Sequence, residues 1–321
     1  MIFITGGSGF IGRYIIKLLE DKYDIINFDL KKPDYSFKGT LIQGDILNIE
    51  SLATTSKKAT TIIHLAAKHN DVGSKEEYFR VNVKGTESIV NIAKVNNINK
   101  IIFFSTVAVY GNIFSHIDEN TTPNPQSDYG KSKLEAERIL KNWAEEAVHR
   151  TLTIIRPAVV IGPYNYASMF KLIKQIDKGL YAHIGKGNNI KSIAYVENVA
   201  EATKFILEHV NTNISIYNYS DEPPLTTRQI TNIIKNSLSK NKSILLPYYI
   251  AYFIALIFDI FSLIIHKDLP ISSNRIKKLC SETYCLSDKI RKDGFMPTFT
   301  SIEGLHKMIE WYKSLKKEGD C

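Results

Sequence analysis

Cysteine is scarce in this chain: Cys280, Cys285 and Cys321 are the only three, odd in number and without a CxxC pair. A disulfide scaffold normally needs many more, so a reducing compartment is expected, and no metal site. Basic runs are missing as well. Lys+Arg 41 against Asp+Glu 33 leaves a net charge of +8, yet nowhere do four basic residues stand together. That balance reads as lysine spread over the surface and gives no ground for a nucleic-acid partner. Attraction to a phosphorylated ligand or an anionic membrane is the alternative. Internal repeats, low-complexity tracts and linkers are absent too. With 44% hydrophobic and 23% charged residues, disorder and fibrous architectures are excluded. Met1-Ile2-Phe3-Ile4 meets glycines at once, with no basic flank or long apolar stretch. No signal peptide is expected, and the chemistry is placed in the cytoplasm.

What is present is an alternation. Short β-rich runs at Ile2–Thr5, Asp24–Asp29, Thr61–Ala66, Lys100–Ser105 and Leu152–Ile155 are separated by helical patterns at Ile11–Lys22, Glu76–Asn96 and Asp128–Val148. Strands alternating with helices predict an α/β fold, a Rossmann-type doubly wound parallel sheet. The dinucleotide-binding domain is expected over residues 1–160. Ser192–Val196 and Ile214–Tyr219 are expected to return to its sheet, and residues 161–190 and 221–321 to form a smaller mixed substrate lobe.

Thr5-Gly6-Gly7-Ser8-Gly9-Phe10-Ile11-Gly12 follows a strand and opens a helix. In that context glycines allow a tight turn, close approach of backbone to a pyrophosphate, and packing of helix on strand. The helix N-terminus attracts the phosphates. Gly6, Gly9, Phe10, Ile11 and Gly12 are therefore candidate cofactor contacts. Asp29 ends the second strand, 17 residues beyond Gly12, where a carboxylate can accept both ribose hydroxyls and repel a 2′-phosphate. This favours NAD over NADP, although Lys31 and Lys32 could attract such a phosphate.

Tyr129 and Lys133, four apart in a predicted helix, share one face. A phenol ionises near pH ~10, too high for a base at neutrality. An adjacent ammonium is expected to draw it down toward working pH. With these residues in place, the chain resembles the extended short-chain dehydrogenase/reductases of the sugar epimerase/dehydratase type. The resemblance rests on TGGSGFIG (5–12), Gly44-Asp45-Ile46, His64-Leu65-Ala66-Ala67, Asn82-Val83-Lys84-Gly85-Thr86, STVAVYG (105–111), YGKSK (129–133) and RPAVVIGP (156–163). It implies that Thr106 joins Tyr129 and Lys133 in catalysis, its hydroxyl holding the sugar O4. It also implies that Asp45 and Ile46 line the adenine pocket, and that Leu65, Ala66, Ala67 and Asn82 lie near the cofactor.

The departures from that pattern narrow the reaction. Sugar 4,6-dehydratases carry Asp-Glu directly after the catalytic Thr, whereas Val107 and Ala108 stand here. Epimerisation and 4-keto-sugar reduction both remain open. Ala158-Val159 replaces an Asn common in nucleotide-sugar epimerases, and Lys191 stands where those enzymes often place a diphosphate-binding Arg. Ile244–Ile265 is a 22-residue apolar run with Asp259 its only charge. Tyr248, Tyr252, Ala255, Asp259, Ser262 and His266 form a weakly polar stripe along it, which predicts a helix over 247–266 with one face on the protein and the other on lipid. A core helix or a homodimer contact is the alternative. Residues 61–86 (with AAKHND at 66–71), 151–163, 188–199 and the stretch from LPYYIAYFIALIFDI to KKLCSETY (246–284) resemble the bacterial epimerases that interconvert GlcNAc and GalNAc on undecaprenyl diphosphate. That resemblance implies a lipid-diphosphate-linked amino sugar as substrate, surface-polysaccharide synthesis, and a place at the inner face of the cytoplasmic membrane. It offers His69 and Lys191 as substrate contacts, with Asp71 near the pocket mouth. A soluble UDP-N-acetylhexosamine 4-epimerase, a 4-keto reductase, a hydroxysteroid dehydrogenase and a non-catalytic dinucleotide-binding protein are the other readings.

Overall fold

The computed structural model describes residues 1–69, 73–111, 116–240, 244–265 and 272–318. Seven parallel strands form the main sheet: β1 (Ile2–Thr5), β2 (Ile25–Asp29), β3 (Thr40–Gln43), β4 (Thr61–His64), β5 (Lys100–Phe104), β6 (Thr151–Pro157) and β7 (Ile214–Tyr219). Their spatial order is β7-β6-β5-β4-β1-β2-β3. The central strands are rich in isoleucine and phenylalanine and buried on both faces, as a parallel sheet covered by helices requires. The fold is a Rossmann-type α/β sheet. From β1 the chain runs outward through β2 and β3, then crosses back to β4 on the other side of β1. That reversal opens a crevice at the carboxyl ends of β1 and β4, where a ligand fits without displacing a crossover.

Two expectations about strands fail. Ile193–Tyr195 does not return to the main sheet but pairs in parallel with Val159–Ile161 as a separate two-stranded unit. Its residues are apolar and buried, which suits either environment, so composition alone carried no information about its partner. Conversely, Thr40–Gln43 forms the opposite edge strand, unanticipated because it is short and partly exposed. The helix expected over Glu76–Asn96 is a composite. Ser74 and Glu77 cap it with a reciprocal box, Phe79–Lys84 is a π-helical stretch, and Gly85–Val95 is α-helical.

A second buried cluster lies outside the main sheet. Phe170, Ile173, Tyr181, Leu225, Ile234, Leu305 and Tyr312 belong to it. The apolar helix spans Tyr248–Ile265. Ala251 and Ala255 are buried against Ile276, with Tyr248 and Tyr252 packed beside them. Asp259 accepts from the Ser273 backbone N–H at 3.1 Å, and the Lys277 ammonium sits over the Tyr252 ring. The weakly polar stripe thus faces protein, while His266 falls outside the described residues. The other side presents Tyr249, Ile250, Phe253, Ile257, Ile260 and Phe261 to solvent, Tyr249 at 83% and Phe253 at 65% exposure. At a rise of about 1.5 Å per residue this helix is about 27 Å long, short of a bilayer core. Among the described residues no helix is long and apolar enough to cross a membrane.

Candidate active site

The glycine loop connects β1 to the helix Phe10–Leu19 at the mouth of the crevice. Gly6 has φ +75°, and a Cβ there would stand 2.6 Å from the Ala66 backbone nitrogen. The turn from β1 therefore lies directly against the Leu65-Ala66-Ala67 segment leaving β4. Gly9 caps the helix with no side-chain hydrogen bond, and the first turn holds no acidic residue. Its leading N–H groups are available to an anion, and the macrodipole adds attraction for a diphosphate.

Asp29 lies beside this loop. Its two carboxylate oxygens each accept one backbone bond, from Ser8 N–H at 3.0 Å and Lys31 N–H at 3.0 Å. An ionised carboxylate has about four acceptor positions, so capacity remains for vicinal hydroxyls. Ile46 is buried and its side chain fills the space that a Cβ on Gly85 would occupy. Asp45 is exposed at the start of the turn after β3, capping Leu47 N–H. These groups fit a dinucleotide: an open helix end for phosphates, a carboxylate for ribose, and an apolar wall.

The catalytic candidates converge on the far side of the crevice. Ser127 caps the helix Asp128–Glu145 by accepting from Gly130 N–H at 3.1 Å. Gly130 lets that helix approach the Val107–Tyr110 turn, since a Cβ would meet the Ala108 carbonyl at 2.6 Å. The approach brings the Thr106 hydroxyl, which accepts from Ala108 N–H at 3.2 Å, close enough to the Tyr129 phenol to lower its pKa. Lys133 is buried one turn along the same helix, its ammonium 4.1 Å from the centre of the Phe103 ring.

Electrostatics here depart from expectation. Burial pushes the Tyr129 phenol up to about 12, while the nearby Thr106 hydroxyl pulls it the other way. Burial also pushes Lys133 down to about 7, while the Glu137 carboxylate holds it up. Removing both groups from water penalises each charged form, so any support the lysine gives the phenol works against burial. His64 is likewise driven down to about 3 by burial, with Lys133 adding to the shift. A neutral imidazole there bridges Thr5 Oγ1 at 2.7 Å and Thr86 Oγ1 at 3.2 Å.

Asn82 sits in the π-helical stretch, whose wide turn suits a side chain that must reach in two directions. Its amide oxygen accepts from Lys68 N–H at 2.8 Å. Its nitrogen donates to the Lys68 carbonyl at 3.1 Å and to Ser132 Oγ at 2.9 Å. Asn82 therefore ties the segment after β4 to the Tyr129 helix. His69 is exposed just beyond that tie, and Asp71 lies outside the described residues. Lys191 lies on an antiparallel ladder with Leu225, near Cys280, whose thiol burial pushes up while the lysine's charge opposes the shift.

Several neighbours escaped the motif reading. The Tyr78 ring centre is 6.1 Å from that of Tyr129. Glu137 receives a fork from Arg156, with Nε at 2.9 Å and Nη2 at 2.5 Å, and a bond from Ser105 Oγ at 2.5 Å. Only the four-residue step from Lys133 to Glu137 could have signalled it.

Known proteins bear on this geometry. The profile of the NAD dependent epimerase/dehydratase family matches residues 2–219. The chain belongs to that family. It is 36% identical over 313 residues to the N-acetyl-alpha-D-glucosaminyl-diphospho-ditrans,octacis-undecaprenol 4-epimerase of Escherichia coli O157:H7, covering 97% of this chain and 94% of the relative. Its fold matches the UDP-glucuronic acid 4-epimerase from Bacillus cereus in complex with NAD, at TM-score 0.79 and 22% identity, covering 98% of this chain and 99% of the other. It also matches the UDP-N-acetylglucosamine 4-epimerase from Methanobrevibacter ruminantium M1 in complex with UDP-N-acetylmuramic acid, at TM-score 0.77 and 23% identity, covering 98% of each chain.

Proposed function

We propose that this family member is an isomerase, an NAD-dependent 4-epimerase that interconverts GlcNAc and GalNAc on undecaprenyl diphosphate. The observation that carries the reaction class is the approach of Thr106 to Tyr129, with Lys133 one turn along the same helix and Val107 and Ala108 in the turn that follows Thr106. One proton-transfer group serves C4, and no carboxylate pair stands at those two positions to drive an elimination. Residues 1–160 form the cofactor half in this reading, and 161–190 with 221–321 the substrate half.

When bound, NAD would supply reversible hydride transfer at the sugar C4, by way of a 4-keto sugar. Gly6, Gly9, Phe10, Ile11 and Gly12 would hold its diphosphate, Asp29 its ribose, and Asp45 and Ile46 its adenine, while Leu65, Ala66, Ala67 and Asn82 border the remainder. Tyr129 takes the proton from the C4 hydroxyl as the ketone forms and gives it back as the alcohol re-forms. Thr106 holds O4 on the line of that transfer. Lys133 supplies the positive charge that the phenolate needs, since burial alone holds the phenol protonated.

The Asp29 assignment gives a direct expectation. Asp29→Ala removes a charged acceptor worth about 1.5–3 kcal/mol. NAD affinity should fall roughly tenfold or more, and discrimination against NADP should relax, as read by titrating both nucleotides. An unchanged preference would remove Asp29 from ribose recognition.

The lipid-linked substrate is favoured by the 36% identity along nearly the whole chain and by the exposed face of the Tyr248–Ile265 helix. We read that face as a membrane-surface contact that keeps the enzyme where its substrate resides, with Lys191 and His69 as substrate contacts. Phe253 and Ile260, at 65% and 59% exposure, carry little of the fold. A Phe253→Glu/Ile260→Glu variant should leave vesicles of anionic phospholipid in a flotation assay, with its melting temperature within about 2 °C of wild type. Retention equal to wild type would remove this face from membrane contact.

The substrate itself is tested by running GlcNAc-diphospho-undecaprenol and UDP-GlcNAc in parallel. Conversion of the lipid-linked sugar is expected. Conversion of UDP-GlcNAc alone would make the protein a nucleotide-sugar epimerase.

A further inference from the structure

The buried charges behind the catalytic helix are not used by the chemistry just described. Glu137 and Arg156 are fully enclosed, and their fork spans the Asp128–Glu145 helix and β6. Ser105 Oγ on the strand end beside Thr106 donates to the same carboxylate. Arg156 Nη1 donates onward to the Tyr110 hydroxyl at 2.7 Å, and that hydroxyl donates to Asn218 Oδ1 on β7 at 2.8 Å. One carboxylate thus joins the three elements that carry Thr106, Tyr129 and the Val107–Tyr110 turn.

Its position along the helix is also specific. Tyr129, Lys133 and Glu137 follow at steps of four, so they form one stripe with the lysine in the middle. The charged or titratable groups facing Glu137 are Lys133 and Lys141 on its own helix, and Arg156 from β6. Among the described residues, those facing Lys133 are Glu137 and Tyr129, one turn away on either side along its own helix, and the neutral His64 from β4. A buried ammonium with a single carboxylate for support depends on that carboxylate to stay protonated.

We propose that Glu137 is a positioning residue for the catalytic pair: its carboxylate locks the Thr106 strand end to the Tyr129 helix and keeps the Lys133 ammonium charged. The inference rests on the assignment of Tyr129 and Lys133 above. Arg156 in turn keeps Glu137 ionised and fixed, so the arginine of the Arg156-Pro157 motif acts on catalysis at two removes. Burial has already lowered Lys133 to about 7, so loss of the neighbouring negative charge carries it below working pH. The sign follows. Without the carboxylate the ammonium deprotonates at lower pH, the phenolate loses support, and the alkaline limb of the rate profile moves toward acid.

The test measures epimerisation of GlcNAc-diphospho-undecaprenol against pH for wild type, Glu137→Gln, Ser105→Ala and Tyr129→Phe. Tyr129 ionisation is followed separately as the tyrosinate absorbance of each protein minus that of its Tyr129→Phe counterpart. For Glu137→Gln the alkaline limb should move down by about one pH unit, maximal turnover should fall roughly tenfold, and the tyrosinate difference should appear at higher pH. Ser105→Ala should lower turnover a few-fold with both limbs in place. Should Glu137→Gln alone not fold, because Arg156 is left buried and unpaired, Glu137→Gln/Arg156→Met removes both charges and must show the same movement. Wild-type limbs and an unmoved tyrosinate difference in either folded variant would overturn the proposal. Full activity of Tyr129→Phe would instead overturn the assignment beneath it, so the two failures are separable.

Discussion

A Tyr129→Phe variant is expected to lose turnover about 10³-fold and to keep its NAD. The ring remains, so packing against Tyr78 and the helix geometry are preserved. What disappears is the hydroxyl beside Thr106 that, in the proposed mechanism, exchanges a proton with the sugar. The loss should lie in kcat, because the group acts on a proton in flight more than on ground-state binding. Single-turnover rates with the lipid-linked sugar, together with NAD released on denaturation, check both halves of the expectation. A rate within about tenfold of wild type would remove Tyr129 from proton transfer. Loss of NAD together with turnover would place its role in cofactor binding instead.

Gly12→Ala should damage both fold and cofactor retention. A Cβ at this position would stand 2.4 Å from the Gly7 carbonyl oxygen and 2.5 Å from the Gly7 Cα. Those are backbone atoms held by β1 and its turn, so relief requires the helix to slide away from the strand. Overpacking of this kind costs about 1–3 kcal/mol, and the displaced helix N-terminus no longer points at the diphosphate. Melting temperature and bound NAD should both fall. Gly9→Ala is the informative comparison, because its nearest obstacle is the Gly6 carbonyl at 3.2 Å and its φ of −78° is ordinary for any residue. That variant should fold normally and lose affinity only where backbone and phosphate touch. Equal melting temperatures for wild type and Gly12→Ala would show that helix–strand contact is not close enough to matter.

Much of the site was legible because its geometry is local. The glycine spacing after an apolar strand, the carboxylate ending the next strand and the Tyr129–Lys133 step each depend on a few adjacent residues and one periodicity. The stripe on the apolar helix was legible for the same reason, and the protein packs on Tyr252, Ala255 and Asp259 as that periodicity implied.

Other features were hidden by distance along the chain. Asn82 was named near the cofactor by resemblance, but its ties to Lys68 and Ser132 emerge only where the π-helical stretch aims it at both. Glu137 reads as a surface acid in a charged helix until Arg156 and Ser105 close on it from two strands. Ile193–Tyr195 left the main sheet and Thr40–Gln43 joined its edge unannounced, because such short strands carry no record of the partner that will accept them.

The amino-acid sequence by itself determined the parallel α/β architecture, the cofactor loop and the spacing of the catalytic pair, since hydrophobic period and backbone sterics act over neighbouring residues. Only the tertiary structure decided the ionisation of that pair. Burial raises the phenol and lowers the ammonium, their neighbours oppose it, and burial is a property of everything packed around them.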